Sequence, residues 1–231
     1  MDFLLDGFLQ AFTLLWRHDP AVFSAIGTTV RVSTASVLLS LLLGIPAGFV
    51  LGYADFPGKR GLRTLVDTLL SLPTVFIGLL VYAFVSRRGP LGELGLLFTL
   101  PAIVIGQTIL ALPVITALTA AAVEALDRRL RPTLTALGAG GRQILLTTVR
   151  EAHFGILTAA VTAYGRVMTE VGISMMVGGN IKWHTRTITT AIALETGKGE
   201  FATGIALGLV LLAIALGVNF SLSLLKRRWQ A

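Results

Sequence analysis

The chain has 231 residues, of which 54% are hydrophobic and 13% charged, and it contains no cysteine. A soluble domain carries about 25% charged residues, so this is the composition of a membrane protein. The missing thiols exclude disulfides, thiolate metal sites and cysteine nucleophiles together. The net charge of +7 comes from basic residues that flank apolar runs, the pattern that orients spans rather than binds nucleic acid.

The N-terminus opens Met1-Asp2-Phe3, with no basic stretch and no small-residue cleavage site, unlike a secretory signal. From Phe3 to Trp16, Leu4, Leu5, Phe8, Leu9, Phe12, Leu15 and Trp16 share a broad helical face, with Asp2, Asp6 and Gln10 off it. The run is short for a span. It predicts an amphipathic helix in the membrane interface, closed by Pro20. This segment is residues 1–23.

Five spans follow, over about 24–226, so the fold class is an all-α polytopic membrane protein. The first runs from about Ile26 to Tyr53, with Gly44-Ile45-Pro46 set to bend it. The second runs from about Thr64 to Val85, and the third from about Thr99 to Ala125 with Pro113 inside. The fourth runs from about Gly155 to Gly178 and the fifth from about Thr203 to Leu225. Asp67, four residues after Arg63, is read as a paired or snorkelling charge at the start of the second.

Between the third and fourth spans lies a basic loop, 127–151, with Arg128, Arg129, Arg131, Arg142 and Arg150. Pro132 to Leu137 is helix-compatible, Gly138 breaks the helix, and Arg142 to Ala152 is helical again. Leu134, Leu137, Ile144 and Leu145 look like buried anchors of a docking element. If the C-terminal Lys226-Arg227-Arg228 is cytoplasmic, this loop and Asp55–Arg63 are cytoplasmic too. Eleven basic residues then lie inside against seven outside, and the N-terminus is external.

The fourth span carries Arg166 and Glu170, four apart on one helical face. Ionisable groups inside a membrane are costly and face a bundle interior or an aqueous path. They are read either as a packing ion pair or as a pathway lining, with Thr169 and Ser174 beside them. Arg before Glu is the poorer i,i+4 order, which favours separate partners. Met175 and Met176 fill gaps or form a hydrophobic constriction, and Gly178-Gly179-Asn180 stops the helix. Thr185 to Thr196 reads as a short external helix. The hydroxyls of Thr185 and Thr187, with Arg186, either meet an anion or cap the helix.

Enzyme chemistry has no footing. The three histidines are not spaced as metal ligands, and Gly138-Ala139-Gly140-Gly141 lacks the Lys-Ser/Thr of a phosphate loop. No catalytic, metal or cofactor residue is expected in this chain.

Several stretches together resemble the permease subunit of a type I ABC importer. They are Thr28-Thr29-Val30-Arg31-Val32-Ser33, Gly44-Ile45-Pro46-Ala47-Gly48, Ser71-Leu72-Pro73-Thr74-Val75, Gly155-Ile156-Leu157-Thr158-Ala159, Gly165-Arg166 and Glu170-Val171-Gly172. The family's Glu-Ala-Ala-x-x-x-Gly loop keeps only its glycine, at Gly138, with Pro132, Thr133 and Leu134 where the acidic-Ala-Ala would stand. The run from Glu170 to Ile181 and the following Thr185-Arg186-Thr187 are similar to the tungstate-uptake branch, neighbour of the molybdate permeases.

The resemblance implies five core helices and a homodimer in the bacterial cytoplasmic membrane. It implies a cytoplasmic ATPase dimer, carrying ATP and Mg, docked on a coupling helix at Leu137, Gly138, Ala139, Gly140 and Arg142. An extracytoplasmic binding protein would deliver an oxyanion, tungstate first. Arg166, Thr169, Glu170, Ser174, Met175, Met176 and Asn180 stand as pathway or gate residues, and Thr185, Arg186 and Thr187 as external anion contacts. A permease for molybdate, sulfate or another small solute remains open. A gradient-driven carrier would want an inverted repeat, and none is visible.

Overall fold

The computed structural model describes residues 5–7, 9, 12, 13, 16, 18–127 and 129–230, with 219 and 222–230 described by backbone alone. Of the expected amphipathic helix, Phe3, Leu4, Phe8, Gln10 and Leu15 lie outside the described residues, as does Arg128 in the basic loop. The described positions among residues 5–16 are helical. Leu5, Leu9, Phe12 and Trp16 are exposed, while Gly7 is buried against Ile205.

Nine α-helices follow among the described residues: α1 (Pro20–Tyr53), α2 (Lys59–Leu69), α3 (Thr74–Val85), α4 (Leu100–Glu124), α5 (Leu130–Ala136), α6 (Gly141–Met168), α7 (Gly172–Gly178), α8 (Ile188–Gly197) and α9 (Phe201–Gln230), with a short 3-10 turn at Gly92–Leu94. Four of them, α1, α4, α6 and residues 201–218 of α9, are long and apolar enough to cross a membrane. The count reaches five only if α2 and α3 form one span, and these two meet at 98°.

Pro20 closes nothing that the described residues show. It is the first residue of α1, where its missing N–H costs no hydrogen bond. Asp19 caps the helix, its Oδ1 accepting from the N–H of Ala21 and Val22 at 2.9 and 3.0 Å. Pro46 lies inside α1, which continues through it.

The scaffold is α1 against α4. Gly44, Gly48 and Gly52 recur every fourth residue and present bare backbone to α4. A Cβ on Gly48 would lie 2.5 Å from the Thr116 carbonyl oxygen, and one on Gly52 would lie 2.6 Å from that of Ala120. Small residues at this spacing let two apolar helices approach closely, which drives helix pairing in lipid. The central cluster joins Val32 of α1, Ile77, Val81 and Val85 of α3, Ile103 and Leu110 of α4, and Ile173 and Val177 of α7. A second cluster ties the start of α1 to α8 and α9 through Val22, Ala25, Ile188, Ala191, Leu207 and Val210.

Two sequence expectations need correction. The second span is not continuous from Thr64 to Val85, because Ser71-Leu72-Pro73 breaks it. Pro73 has no N–H to donate and sits as the N-cap of α3. The fourth span is not continuous from Gly155 to Gly178 either. The helix begins fourteen residues earlier, at Gly141, ends at Met168, and restarts at Gly172 as α7.

Candidate functional site

The two helix breaks lie against one another. A Cβ on Gly172 would stand 3.0 Å from Val75 Cγ2, 3.3 Å from Thr74 Oγ1 and 3.3 Å from Glu170 Oε1. Backbone that leaves the helix at membrane depth is tolerated only when packed in protein or lining an aqueous path.

Arg166 and Glu170 do not pair. The Arg166 guanidinium is exposed, and its Nη2 donates to the Leu70 carbonyl, 3.4 Å away, at the end of α2. Glu170 is only 7% exposed. Its Oε1 accepts from the Ile173 N–H at 3.1 Å, so the carboxylate caps α7. Its carbonyl accepts from Thr189 Oγ1 at 2.8 Å, which ties the break to the start of α8. The expectation of one shared helical face fails because the helix ends between the two residues. Thr169 closes α6 as its C-cap and is exposed.

Ser174 is fully buried and belongs to a polar bridge that the sequence did not disclose. Gln107 of α4, 2% exposed, accepts from Ser36 Oγ of α1 at 3.1 Å. Its Nε2 donates to the Val167 carbonyl and to Ser174 Oγ, each at 3.5 Å. One amide thus spans both sides of the α6–α7 break. A single glutamine within the apolar run Leu100–Glu124 was the available signal.

The two methionines diverge. Met176 packs on the central cluster beside Gly78, while Met175 is exposed. Asn180, with φ +50, follows Gly179 at φ +68, as the glycine stop predicts. Its Oδ1 accepts from Arg186 Nε at 3.1 Å. Thr185 is buried; its hydroxyl donates to the Gly178 carbonyl and accepts from the Ile181 N–H. Thr187 is buried as the N-cap of α8, accepting from the Thr190 N–H at 3.3 Å. Both hydroxyls are used to build the turn, and only Arg186 of the three is partly exposed.

The basic loop folds as helix, glycine, helix. The Gly138 N–H donates to the Thr135 carbonyl and the Ala139 N–H to the Leu134 carbonyl, both at 3.0 Å. This paired pattern is a Schellman motif. It requires the left-handed conformation that Gly138 adopts at φ +78. The Gly140 N–H then donates to Gln143 Oε1 at 2.8 Å as α6 begins. Arg142 is exposed. Of the anticipated buried anchors only Ile144 is buried; Leu134 is half-buried, Leu145 is exposed and Leu137 is 78% exposed. The loop is braced to α1 through Arg131, whose guanidinium carbon sits 5.1 Å from the centre of the Tyr53 ring. No cluster of three or more metal-ligating side chains occurs among the described residues.

A bundle of apolar helices, two of them interrupted at facing breaks, with an ordered helix–glycine–helix element, is the architecture of a type I ABC importer permease. The fold is similar to a chain of the MetNI methionine ABC transporter in inward-facing form, with a TM-score of 0.75, 19% identity and coverage of 94% of this chain and 97% of that one. It is also similar to a chain of a bacterial alginate ABC transporter in complex with a pentasaccharide-bound periplasmic protein. There the TM-score is 0.77 with 20% identity, over 97% of this chain and 86% of that one.

The chain belongs to the family described as binding-protein-dependent transport system inner membrane component, whose model matches residues 44–231. It is 49% identical to the tungstate uptake system permease protein of Campylobacter jejuni, over 98% of this chain and 95% of that protein. A probable anion ABC transporter permease protein of Haloferax volcanii is 46% identical, over 85% and 87% of the two chains. The molybdenum transport system permease protein of Escherichia coli K12 is 30% identical, over 92% and 94%. The protein is therefore a multi-pass permease of the inner membrane.

Proposed function

We propose that this permease carries tungstate inward, as a pair of copies driven by an ATPase dimer on the cytoplasmic side and fed by an external binding protein. The observation that carries the cargo is 49% identity to a tungstate permease over nearly the whole of both chains, against 30% to a molybdenum permease.

The pairing is supported by Arg166 and Thr169, which one copy leaves exposed within the length of the bundle. Such groups are not left facing lipid. The ATPase site is supported by the exposed Leu137, held at the tip of a Schellman turn and flanked by Ala139, Gly140 and Arg142. ATP and Mg belong to that partner, and the loop lies on the cytoplasmic side with the N-terminus outside. Alternating access then moves the α6–α7 break against the α2–α3 break. Glu170 and Ser174 hold the hinge, and Arg166 faces the path.

The experiment is tungstate uptake by the reconstituted permease, ATPase and binding protein, with molybdate and sulfate as competitors. Tungstate uptake resisting an equal concentration of sulfate supports the assignment. Uptake of sulfate alone removes it.

A further inference from the structure

The exposed face of α6 has inverted polarity for a membrane helix. Across residues 152–169, the exposed positions are Thr158, Thr162, Arg166 and Thr169, and every one is polar. The second half of α1 and the length of α3 expose what lipid requires, Leu38, Leu39, Leu42 and Leu43 on α1 and Phe76, Leu79, Leu80 and Phe84 on α3, while the first half of α1 also exposes Arg31 and Thr34. The spacing of four, four and three places the polar positions on one helical stripe. At 1.5 Å per residue the stripe runs about 16 Å, roughly half the hydrocarbon thickness.

The hydroxyls differ in what they have left to give. Thr158 Oγ1 donates to the Phe154 carbonyl at 2.8 Å, and Thr169 Oγ1 donates to the Gly165 carbonyl at 3.0 Å. Thr162 stands one turn before Arg166, and none of the hydrogen bonds described within the chain involves its hydroxyl. Gly165, on the same stripe, has open space where a Cβ would lie. Arg166 gives one Nη2 proton to Leu70, over a long 3.4 Å, and a guanidinium has five to give.

The geometry points to Thr162 as a substrate-contacting residue: its hydroxyl and the Arg166 guanidinium form a donor pair for a tetrahedral oxyanion, on a wall continued by Thr158 and Thr169. The inference rests on the oxyanion reading above and adds the contact that nothing else assigns. One arginine per copy supplies attraction, and hydroxyls in place of further cations let a dianion leave. A second copy packed directly on the stripe is the competing occupant, since threonines also bond between helices.

The test uses Thr162→Val, which keeps shape and removes the donor, and Thr162→Ser, which restores it, in the transporter reconstituted with its ATPase and binding protein. The valine variant should move about tenfold less tungstate per ATP hydrolysed, and serine should recover most of the loss. If valine transports like the wild type, the inference is overturned while the oxyanion function stands. A wild type that moves no oxyanion overturns the functional reading itself. Because the chain has no native cysteine, Thr162→Cys gives a second measurement that needs no transport. A charged thiosulfonate should label it in the assembled transporter, at rest or with ATP bound. Cross-linking between two copies with no labelling in any state would overturn the inference in favour of packing.

Discussion

Arg166 and Glu170, four residues apart, turn away from each other: the arginine bonds the Leu70 carbonyl at the end of α2, and the glutamate caps α7 through the Ile173 N–H at 3.1 Å. Each charge secures a different broken helix. This separation makes their roles distinguishable by substitution.

Glu170→Ala removes a cap and should lower stability by about 1–2 kcal/mol, read as a lower thermal midpoint in detergent. Glu170→Gln keeps an acceptor oxygen and should leave the midpoint and tungstate uptake near wild type. A folded, abundant Glu170→Gln that transports nothing would show that the charge itself serves translocation.

Gln107→Leu conserves volume but leaves Ser36 and Ser174 without their bridge. The expected cost is about 1–3 kcal/mol, since buried polar groups lose a partner. The measurement is the thermal midpoint beside that of Ser174→Ala, which removes a single arm of the bridge and should cost less.

Gly48→Leu drives a side chain into a position whose Cβ alone would meet the Thr116 oxygen at 2.5 Å. Overpacking of this kind costs about 1–3 kcal/mol or more. The expected result is loss of membrane-inserted protein, while the same change at Gly61, which has no neighbour within 4 Å of a Cβ, should be tolerated.

Leu137→Asp alters a residue that touches little within the chain, so the isolated permease should keep its thermal midpoint. Co-purification with the ATPase should fall steeply. Intact assembly in this variant would move the docking surface away from the tip of the loop.

The first, third and fifth spans were legible because each is a long apolar run whose ends carry turn or polar residues. Gly138 was legible because a helix stop needs a left-handed residue there. The break at 169–171 was not, since Val171, Gly172, Ile173 and Met175 keep the composition of a continuous span. The stop is held by a local cap, the Ile173 N–H on Glu170 Oε1, and by one tertiary bond, from Thr189 Oγ1 to the Glu170 carbonyl. The 98° bend after α2 was half visible in Pro73, and its angle is set by packing. Leu137 was misread as buried because an apolar residue on an otherwise polar loop looks like core, whereas within this chain it is exposed.

Gly138→Pro cannot adopt φ +78 and loses the N–H bonded to Thr135. ATP hydrolysis stimulated by the loaded binding protein should vanish, while the binding protein still captures anion. Normal stimulation would remove Gly138 from the coupling path.

The most direct measurement is accumulation of tungstate in sealed vesicles holding the permease with its ATPase, supplied with binding protein outside and ATP inside. Tungstate should accumulate against its gradient only when ATP and binding protein are both present. Accumulation driven by an ion gradient without ATP, or none under any condition, would contradict the account.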